Sequence, residues 1–475
     1  MDRAVRRDPV IRAVGGGGGQ ERPAASLQSR LTPAEPQDVT TLRTRSAAAA
    51  ALTLAVLAAP ASATALEPRD GAAVTTTTVQ PARTTQVAAA LGVSDPAAAT
   101  ALGRRVSQAL STTGARTIAA AVDVDGLGSV LRRDASHLLP PASTQKSWTA
   151  LSVLVALGPT RRFETRVVRD RLPVRGRLRG SLWLQAGGDP YLTTADLRTL
   201  ARGVRQAGIT SVAGIRVDDS RYDARRTAPG WKASFMPGQS GPLSAMALDR
   251  NTWRTDSAFL ADPAVPAAER LRDLLRAEGV SVGSAVTRDR VPSGGRTVAL
   301  HRSPPVPAVV SRALKASDNF AAALLLKELG RVVRGEGTSA AGVAATRTVL
   351  GRLGATPGPA GDGSGLSSLD RQSPEGQVTM LHAADRSPSG PAFRASLPVG
   401  CRDGTLIRRF CGTAAEGRVL AKTGTLSGVR TLVGFTRTRS GRGVAFAFQL
   451  AEVTDSSQAL VAIDRAVVVL ASAGE

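Results

Sequence analysis

The sequence predicts an α/β (α+β) fold: an antiparallel sheet flanked by helices, with a smaller α/β part in the middle of the chain. Three features carry that reading. A strand–turn–strand centred on Asp125-Gly126 precedes a helix that opens after Pro140-Pro141. Residues 166–302 mix short strand-like runs with helical ones. The chain closes on two alternating runs around Ser440-Gly441 and then a helix from Asp455.

Taken in order, residues 1–42 hold a run of five glycines and no helical or alternating period, so they read as a disordered prefix. Arg43 and Arg45 then precede an apolar run over 47–59 and the string Pro60-Ala61-Ser62-Ala63. A basic start, a short apolar core and a small-residue cleavage site make 43–65 a secretory signal, with 1–42 the mark of a start assigned too far upstream. The run is shorter than the roughly 20 apolar residues a membrane span needs, so no span is expected in the mature chain. Its flanks fit export better than a buried Ala-rich helix. Residues 66–95, rich in Thr, Pro and Ala, read as a linker.

Order is expected from a helix over 97–111, followed by strands over 117–124 and 129–133. Helical spacing resumes over 143–157, with Trp148, Leu151 and Val155 on one face. The middle of the chain offers strands at 181–185 and 212–217 and helices at 194–207 and 267–278. A helix over 320–329 leads towards strands at 432–436 and 444–450. For the last helix, Asp455 and Gln458 suggest a capping box, with Leu460, Ile463, Val467 and Leu470 as the buried stripe.

Composition narrows the function. With 475 residues, 42% of them hydrophobic, the chain is long enough for two or three folded units and can bury a core. Two cysteines and three dispersed histidines argue against a zinc or other His-rich metal centre, and no cofactor is expected. Sixty-one basic residues against 38 acidic ones give a formal net charge of +23, which attracts polyanions. The arginines are scattered and the aromatics sparse, so nucleic acid is not the expected partner. Anionic wall polymers fit the charge, and so does a plain compositional bias towards Arg, Ala and Gly.

Three strings then stand out in order: Ser143-Thr144-Gln145-Lys146, Ser317-Asp318-Asn319 and Lys422-Thr423-Gly424-Thr425. A serine hydroxyl is a weak nucleophile unless a base lies within hydrogen-bond reach. Ser143 and Lys146, three apart at the start of a helix, share one face. Lys146 serves as base only with its pKa lowered, by burial and by a second cation, for which Lys422 is placed. The stretch containing Lys422 is expected as an edge strand beside Ser143, with Gly424 leaving room for an extended peptide. Backbone N–H groups of Ser143 and Thr425 would form an oxyanion hole. Ser317 is expected to relay the leaving-group proton, and Asn319 to hold Lys146 and a substrate carbonyl. Asp318 and Thr423 are grouped with the substrate-binding residues. Each string alone is a weak signal; their order and context are not. Two of only five lysines fall within them.

The trio is the pattern of penicillin-binding proteins and class A β-lactamases. Further strings, Gly187-Gly188-Asp189-Pro190, Val217-Asp218-Asp219-Ser220, Ala228-Pro229-Gly230-Trp231, Asp362-Gly363-Ser364-Gly365-Leu366-Ser367 and Asp403-Gly404-Thr405-Leu406, make 95–475 resemble the class C, type-4 penicillin-binding proteins. These are D-alanyl-D-alanine carboxypeptidases/endopeptidases of the bacterial wall. The resemblance implies a penicillin-binding/β-lactamase-like transpeptidase fold, built from 96–165 and 303–475, with 166–302 as an inserted domain. The long gap between Ser143 and Ser317 suits that insert better than a β-lactamase. It also implies acyl transfer through Ser143, peptidoglycan stem peptides as substrates and β-lactams as ligands. One departure is visible: the stretch after Leu248-Asp249-Arg250-Asn251 is short for the second nested domain of such proteins, so one insert is expected.

An exported protein favours a disulfide between Cys401 and Cys411 over thiol chemistry, since no histidine is near them in sequence. The Asp362–Ser367 stretch is expected to frame the cleft, and Asp123, Asp189 and Asp218 to be structural. Two rivals stand beside the peptidase: a β-lactamase-like serine hydrolase, and a catalytically idle, basic wall-binding protein.

Overall fold

The computed structural model describes residues 95–111 and 113–474, so the prefix, the signal and all of the linker before Asp95 lie outside the described residues. Asp95 itself accepts a hydrogen bond from Ala98 N and caps the helix Pro96–Ala109. Strands β1 (Ala115–Val124) and β2 (Gly128–Arg133) form the hairpin expected at Asp125-Gly126, and the helix Gln145–Leu157 follows a single 3-10 turn, Ala142–Thr144.

A second stretch contributes β3 (Glu164–Arg169), β4 (Arg177–Gln185), β5 (Ser211–Asp218), β6 (Ser281–Val282), β7 (Val286–Arg288) and β8 (Arg296–Arg302). They form one sheet in the order β6-β5-β4-β3-β8, with β7 also paired to β5. Its first strand begins at Glu164, two residues before the expected boundary at 166. β4 and β5 are parallel and joined through the helix Thr194–Gln206, whose Thr193 and Asp196 make a full capping box. After Asn251 the chain carries only the five-residue helix Ser257–Ala261 before the helix Ala264–Ala277.

The chain then returns through helices Val306–Lys315, Asn319–Arg334, Ser339–Gly351 and Pro374–Arg386 to β9 (Leu420–Leu426), β10 (Val429–Arg437) and β11 (Gly443–Val453). These complete a five-stranded antiparallel sheet in the order β2-β1-β11-β10-β9, with β9 at the edge. Alternation along β11 sorts its side chains into two cores. Val444, Phe446 and Phe448 face the helices Pro96–Ala109 and Ser456–Ser472, while Ala445 and Ala447 face Trp148, Leu151 and Met380. A sheet covered on both faces explains why nearly every β11 residue is buried.

The last helix departs from expectation in two details. Asp455 accepts from the N–H groups of Ser457 and Gln458, which is the N-cap half of the expected box. Ile463, Val467 and Leu470 are buried as read, but Leu460 is 37% exposed and Ala459 takes its place. The buried stripe runs back at about 3.6-residue spacing from Leu470 through Val467 and Ile463 to Ala459, and Leu460 falls one position off it.

Candidate active site

A corner between two helices presents the second string. The helix Val306–Lys315 ends with Ser317 N donating to Leu314 O and Asp318 N to Ala313 O, the paired bonds of a Schellman motif. Ser317 therefore occupies the left-handed position, with φ of 53°, where glycine is the usual residue. Asp318 then caps the helix Asn319–Arg334 through Ala321 N at 3.1 Å. The turn points Ser317 and Asn319 towards the first string.

The first string lies on the 3-10 turn and the helix it feeds. Ala142, also left-handed at φ of 48°, sets Ser143 at the rim while Lys146 runs inward, fully buried. Lys146 Nζ lies 2.8 Å from Ser143 Oγ, 2.7 Å from Asn319 Oδ1 and 2.6 Å from the carbonyl oxygen of Ser364. The third string lies on the edge strand β9, paired to β10 with Lys422 opposite Val433 and Gly424 opposite Thr431. Lys422 Nζ lies 2.9 Å from Ser317 Oγ and 2.9 Å from Thr423 O. All three strings thus meet at one place, with both lysines buried and Ser143, Ser317 and Asn319 half-buried.

Burial lowers the Lys146 pKa to about 8, against the opposing fields of Asp362, Asp318 and Asp370. Burial, and then the charge of Lys146, hold Lys422 well below the ordinary lysine range. The second-cation effect expected on Lys146 thus falls on Lys422, and Lys146 owes its shift to desolvation.

Other sequence expectations change on contact with the structure. Gly424, expected to make room for substrate, is also required by the packing of the strand: a Cβ there would lie 2.0 Å from Thr431 Oγ1 and 2.8 Å from Pro141 O. Its glycine lets β9 lie against the turn that carries Ser143. Asp318, grouped with the substrate-binding residues, is buried and committed to Ala321 N and, at 2.9 Å, to Arg250. It belongs to the scaffold. Thr423 bonds Thr405 Oγ1 at 2.8 Å, and Thr425 is exposed on the strand edge. Cys401 and Cys411 are bonded. Asp123 is held by Arg132 and His382, as a structural carboxylate would be.

The Asp362–Ser367 stretch, expected to frame the cleft, is joined there by residues from far away in the chain. Asp362 accepts from Trp231 Nε1 at 2.6 Å and from the N–H groups of Ser364 and Gly365. This fixes the carbonyl that Lys146 meets. Gly365, left-handed, lies so near Ala142 that a Cβ would be 1.8 Å from its carbonyl oxygen. Gln239 O accepts from Asn319 Nδ2 at 3.1 Å. Trp231, Gln239 and Arg250 all come from the 166–302 stretch, so that stretch forms part of the site wall. The strings around Trp231, Arg250 and Ser364 were visible; that a backbone carbonyl would matter was not.

Two measurable consequences arise here. Ser317→Gly relieves the left-handed strain, worth up to about 1 kcal/mol, but takes the Ser317 hydroxyl from the buried Lys422 Nζ and leaves it Thr423 O. The two effects oppose each other, so activity should fall sharply while thermal melting changes little. The second concerns Asp370, whose carboxyl burial and then the neighbouring Asp362 hold well above the usual carboxylate range. A folded-state pKa above the unfolded value of about 4 means stability falls as pH rises above about 4. Asp370→Asn keeps a neutral side chain throughout. Wild type should therefore lose stability relative to Asp370→Asn as pH rises from about 4 towards neutrality, as melting curves across pH will report.

The chain has relatives among known proteins. The model of the D-Ala-D-Ala carboxypeptidase 3 (S13) family matches residues 102–259 and 254–473, two stretches that meet where the chain runs directly from Asn251 towards the helix Ala264–Ala277. A D-alanyl-D-alanine carboxypeptidase of Actinomadura sp. (strain R39) is 28% identical over 71% of this chain and 77% of its own. A carboxypeptidase of Mycobacterium tuberculosis is 30% identical over 65% of this chain and 70% of its own. Among solved structures, penicillin-binding protein 4 of Haemophilus influenzae aligns with a TM-score of 0.69 at 21% identity, covering 76% of this chain and 98% of that one, which shows the penicillin-binding fold. The chain belongs to the D-Ala-D-Ala carboxypeptidase 3 (S13) family and, with it, to the serine-type D-Ala-D-Ala carboxypeptidases, which are hydrolases.

Proposed function

We propose that this protein is exported and cleaves peptidoglycan stem peptides as a D-alanyl-D-alanine carboxypeptidase/endopeptidase, through an acyl-enzyme on Ser143. The observation that carries the reading is the bonding of Lys146 Nζ. Two of its three partners, Asn319 Oδ1 and Ser364 O, only accept; the third is the Ser143 hydroxyl. As an ammonium Lys146 donates to all three oxygens; having lost one proton it still donates to the two carbonyl oxygens and turns its lone pair to the Ser143 hydroxyl, the posture of a general base. Lowering the pKa from 10.5 to about 8 raises the neutral fraction at pH 7 from a few in ten thousand to about one in ten.

In the reaction, Ser143 Oγ attacks the carbonyl of the penultimate D-alanine and its proton passes to Lys146. The C–N bond breaks and terminal D-alanine leaves as the amine, taking a proton from Ser317 that Lys422 replaces. Water then attacks the ester carbon, its proton passing by way of Ser317 to Lys422; the C–Oγ bond breaks, Lys146 returns its proton to Ser143, and the peptide acid departs. The N–H groups of Ser143 and Thr425 would receive the oxyanion. The open edge of β9 offers backbone partners to an extended peptide. β-Lactams would acylate the same serine; a solved structure of the Haemophilus influenzae protein holds a β-lactam. Among the described residues no helix is long and apolar enough to cross a membrane. An extracytoplasmic place suits the substrate and the disulfide, and the surplus of arginine suits anionic wall polymers.

The test is to give the protein a diacyl-D-Ala-D-Ala peptide and measure free D-alanine, then run penicillin-treated protein on a denaturing gel. Release of D-alanine with a durable penicillin band is the expected result. Rapid penicillin hydrolysis without D-alanine release would favour a β-lactamase, and no reaction with either a wall-binding protein.

A further inference from the structure

A cavity of about 690 Å³ opens at the seam between the β3–β8 sheet and the helix Asn319–Arg334. Six arginines line it: Arg161, Arg162, Arg166, Arg221, Arg302 and Arg331. It lies where β4 and β5 end at Gln185 and Asp218, the carboxyl ends of a parallel pair, where open α/β sheets take their ligands. Its volume is that of a small-molecule pocket.

The acidic residues nearby are already engaged. Glu164 pairs with Arg166 and Arg302. Glu328, with a fully buried side chain, takes Arg221 and, at 3.5 Å, Arg161. Asp218 accepts from Ser220 and from Val291 N. Arg162 and Arg331 bond only backbone carbonyls, Ser303 O at 2.7 Å and Gly335 O at 3.4 Å, and neither has a carboxylate partner among the described residues. Both are exposed. The wall thus presents uncompensated guanidinium groups, brought together from residues distant in sequence and held by the ion pairs around them.

We propose that this cavity is a second binding site, for a phosphodiester-linked polyol chain of the kind that carries negative charge in bacterial walls. Guanidinium forks match phosphate oxygens. A lone carboxylate offers two oxygens and one charge, which a single fork fills; a phosphodiester chain repeats its charge and so uses arginines spread along a wall. The helix Asn319–Arg334 carries Asn319 at the active site and Arg331 about 18 Å further along its axis at 1.5 Å per residue. A polymer held there would tether the enzyme to the wall without entering the cleft. The identity of the polymer, though not phosphate binding itself, rests on the extracytoplasmic reading above.

Titration calorimetry of the full chain with a glycerol-phosphate oligomer, and separately with inorganic phosphate, tests this. The double variant Arg162→Glu/Arg331→Glu should weaken oligomer binding about tenfold or more, with penicillin labelling of Ser143 unchanged. The control Arg104→Glu/Arg105→Glu makes the same charge change on the exposed face of the helix Pro96–Ala109 and should bind as wild type. Equal weakening in both pairs would assign the affinity to bulk charge and overturn the site. Absence of oligomer binding would overturn it too, and inorganic phosphate binding alone would overturn the polymer assignment. Loss of Ser143 labelling in wild type would instead count against the proposed function and leave the calorimetry readable.

Discussion

Ser143→Ala is expected to take no covalent label from a fluorescent penicillin and to release no D-alanine above background, while remaining folded. Ser143 is half-buried at the rim, and its hydroxyl has Lys146 as its partner at 2.8 Å. Removing the oxygen leaves Lys146 with Asn319 and Ser364, so melting should change little. The whole covalent path goes with it. Intact-mass spectrometry after penicillin treatment reads the result directly: an adduct on wild type, none on the variant. An adduct that persists in the variant would move the nucleophile elsewhere.

Lys146→Ala should be nearly as severe. Loss of a positioned base typically costs 10²–10⁴-fold, and groups that act as a unit lose most of their effect with the first deletion. We expect acylation to slow by about 10⁴-fold, or about 5.5 kcal/mol in the barrier. The double variant with Ser143→Ala should be no worse than Ser143→Ala alone. Stability will also fall, since Asn319 Oδ1 and Ser364 O lose a buried donor, at about 1–3 kcal/mol for an unsatisfied group. Acylation rate and melting temperature measured together separate the two effects. A fall in acylation no larger than the stability loss explains would make Lys146 structural.

Much of this was legible because secondary structure is set by local patterns. Ser143 and Lys146, three apart, fall one helical turn apart, and the run around Lys422 reads as a strand; both features are written into adjacent residues. The helices read well where one face alternates, as with Ile463, Val467 and Leu470. Leu460 lies off the buried stripe because the 3.6-residue period set by Ile463, Val467 and Leu470 runs back through the small Ala459, which a search for large apolar residues passes over. What stayed hidden is long-range. Ser364 acts through a backbone carbonyl, which no residue type announces. Trp231 and Asp362 meet only because the 166–302 stretch folds back onto the cleft. At Ser317 a left-handed turn, which favours glycine, carries instead a hydroxyl bonded to Lys422, a placement that local propensity does not announce. The closeness of Thr431 to Gly424 is likewise invisible until the register of β9 on β10 is known.

Acylation of Ser143 as proposed requires an unprotonated amine at Lys146, and the pH dependence of penicillin acylation reports on that most directly. The second-order rate constant should rise about tenfold per pH unit below 8 and level off near 8, where burial places the lysine. A rate that is flat from pH 6 to 9, or one that continues to climb past pH 10 as for a solvated lysine, would contradict it.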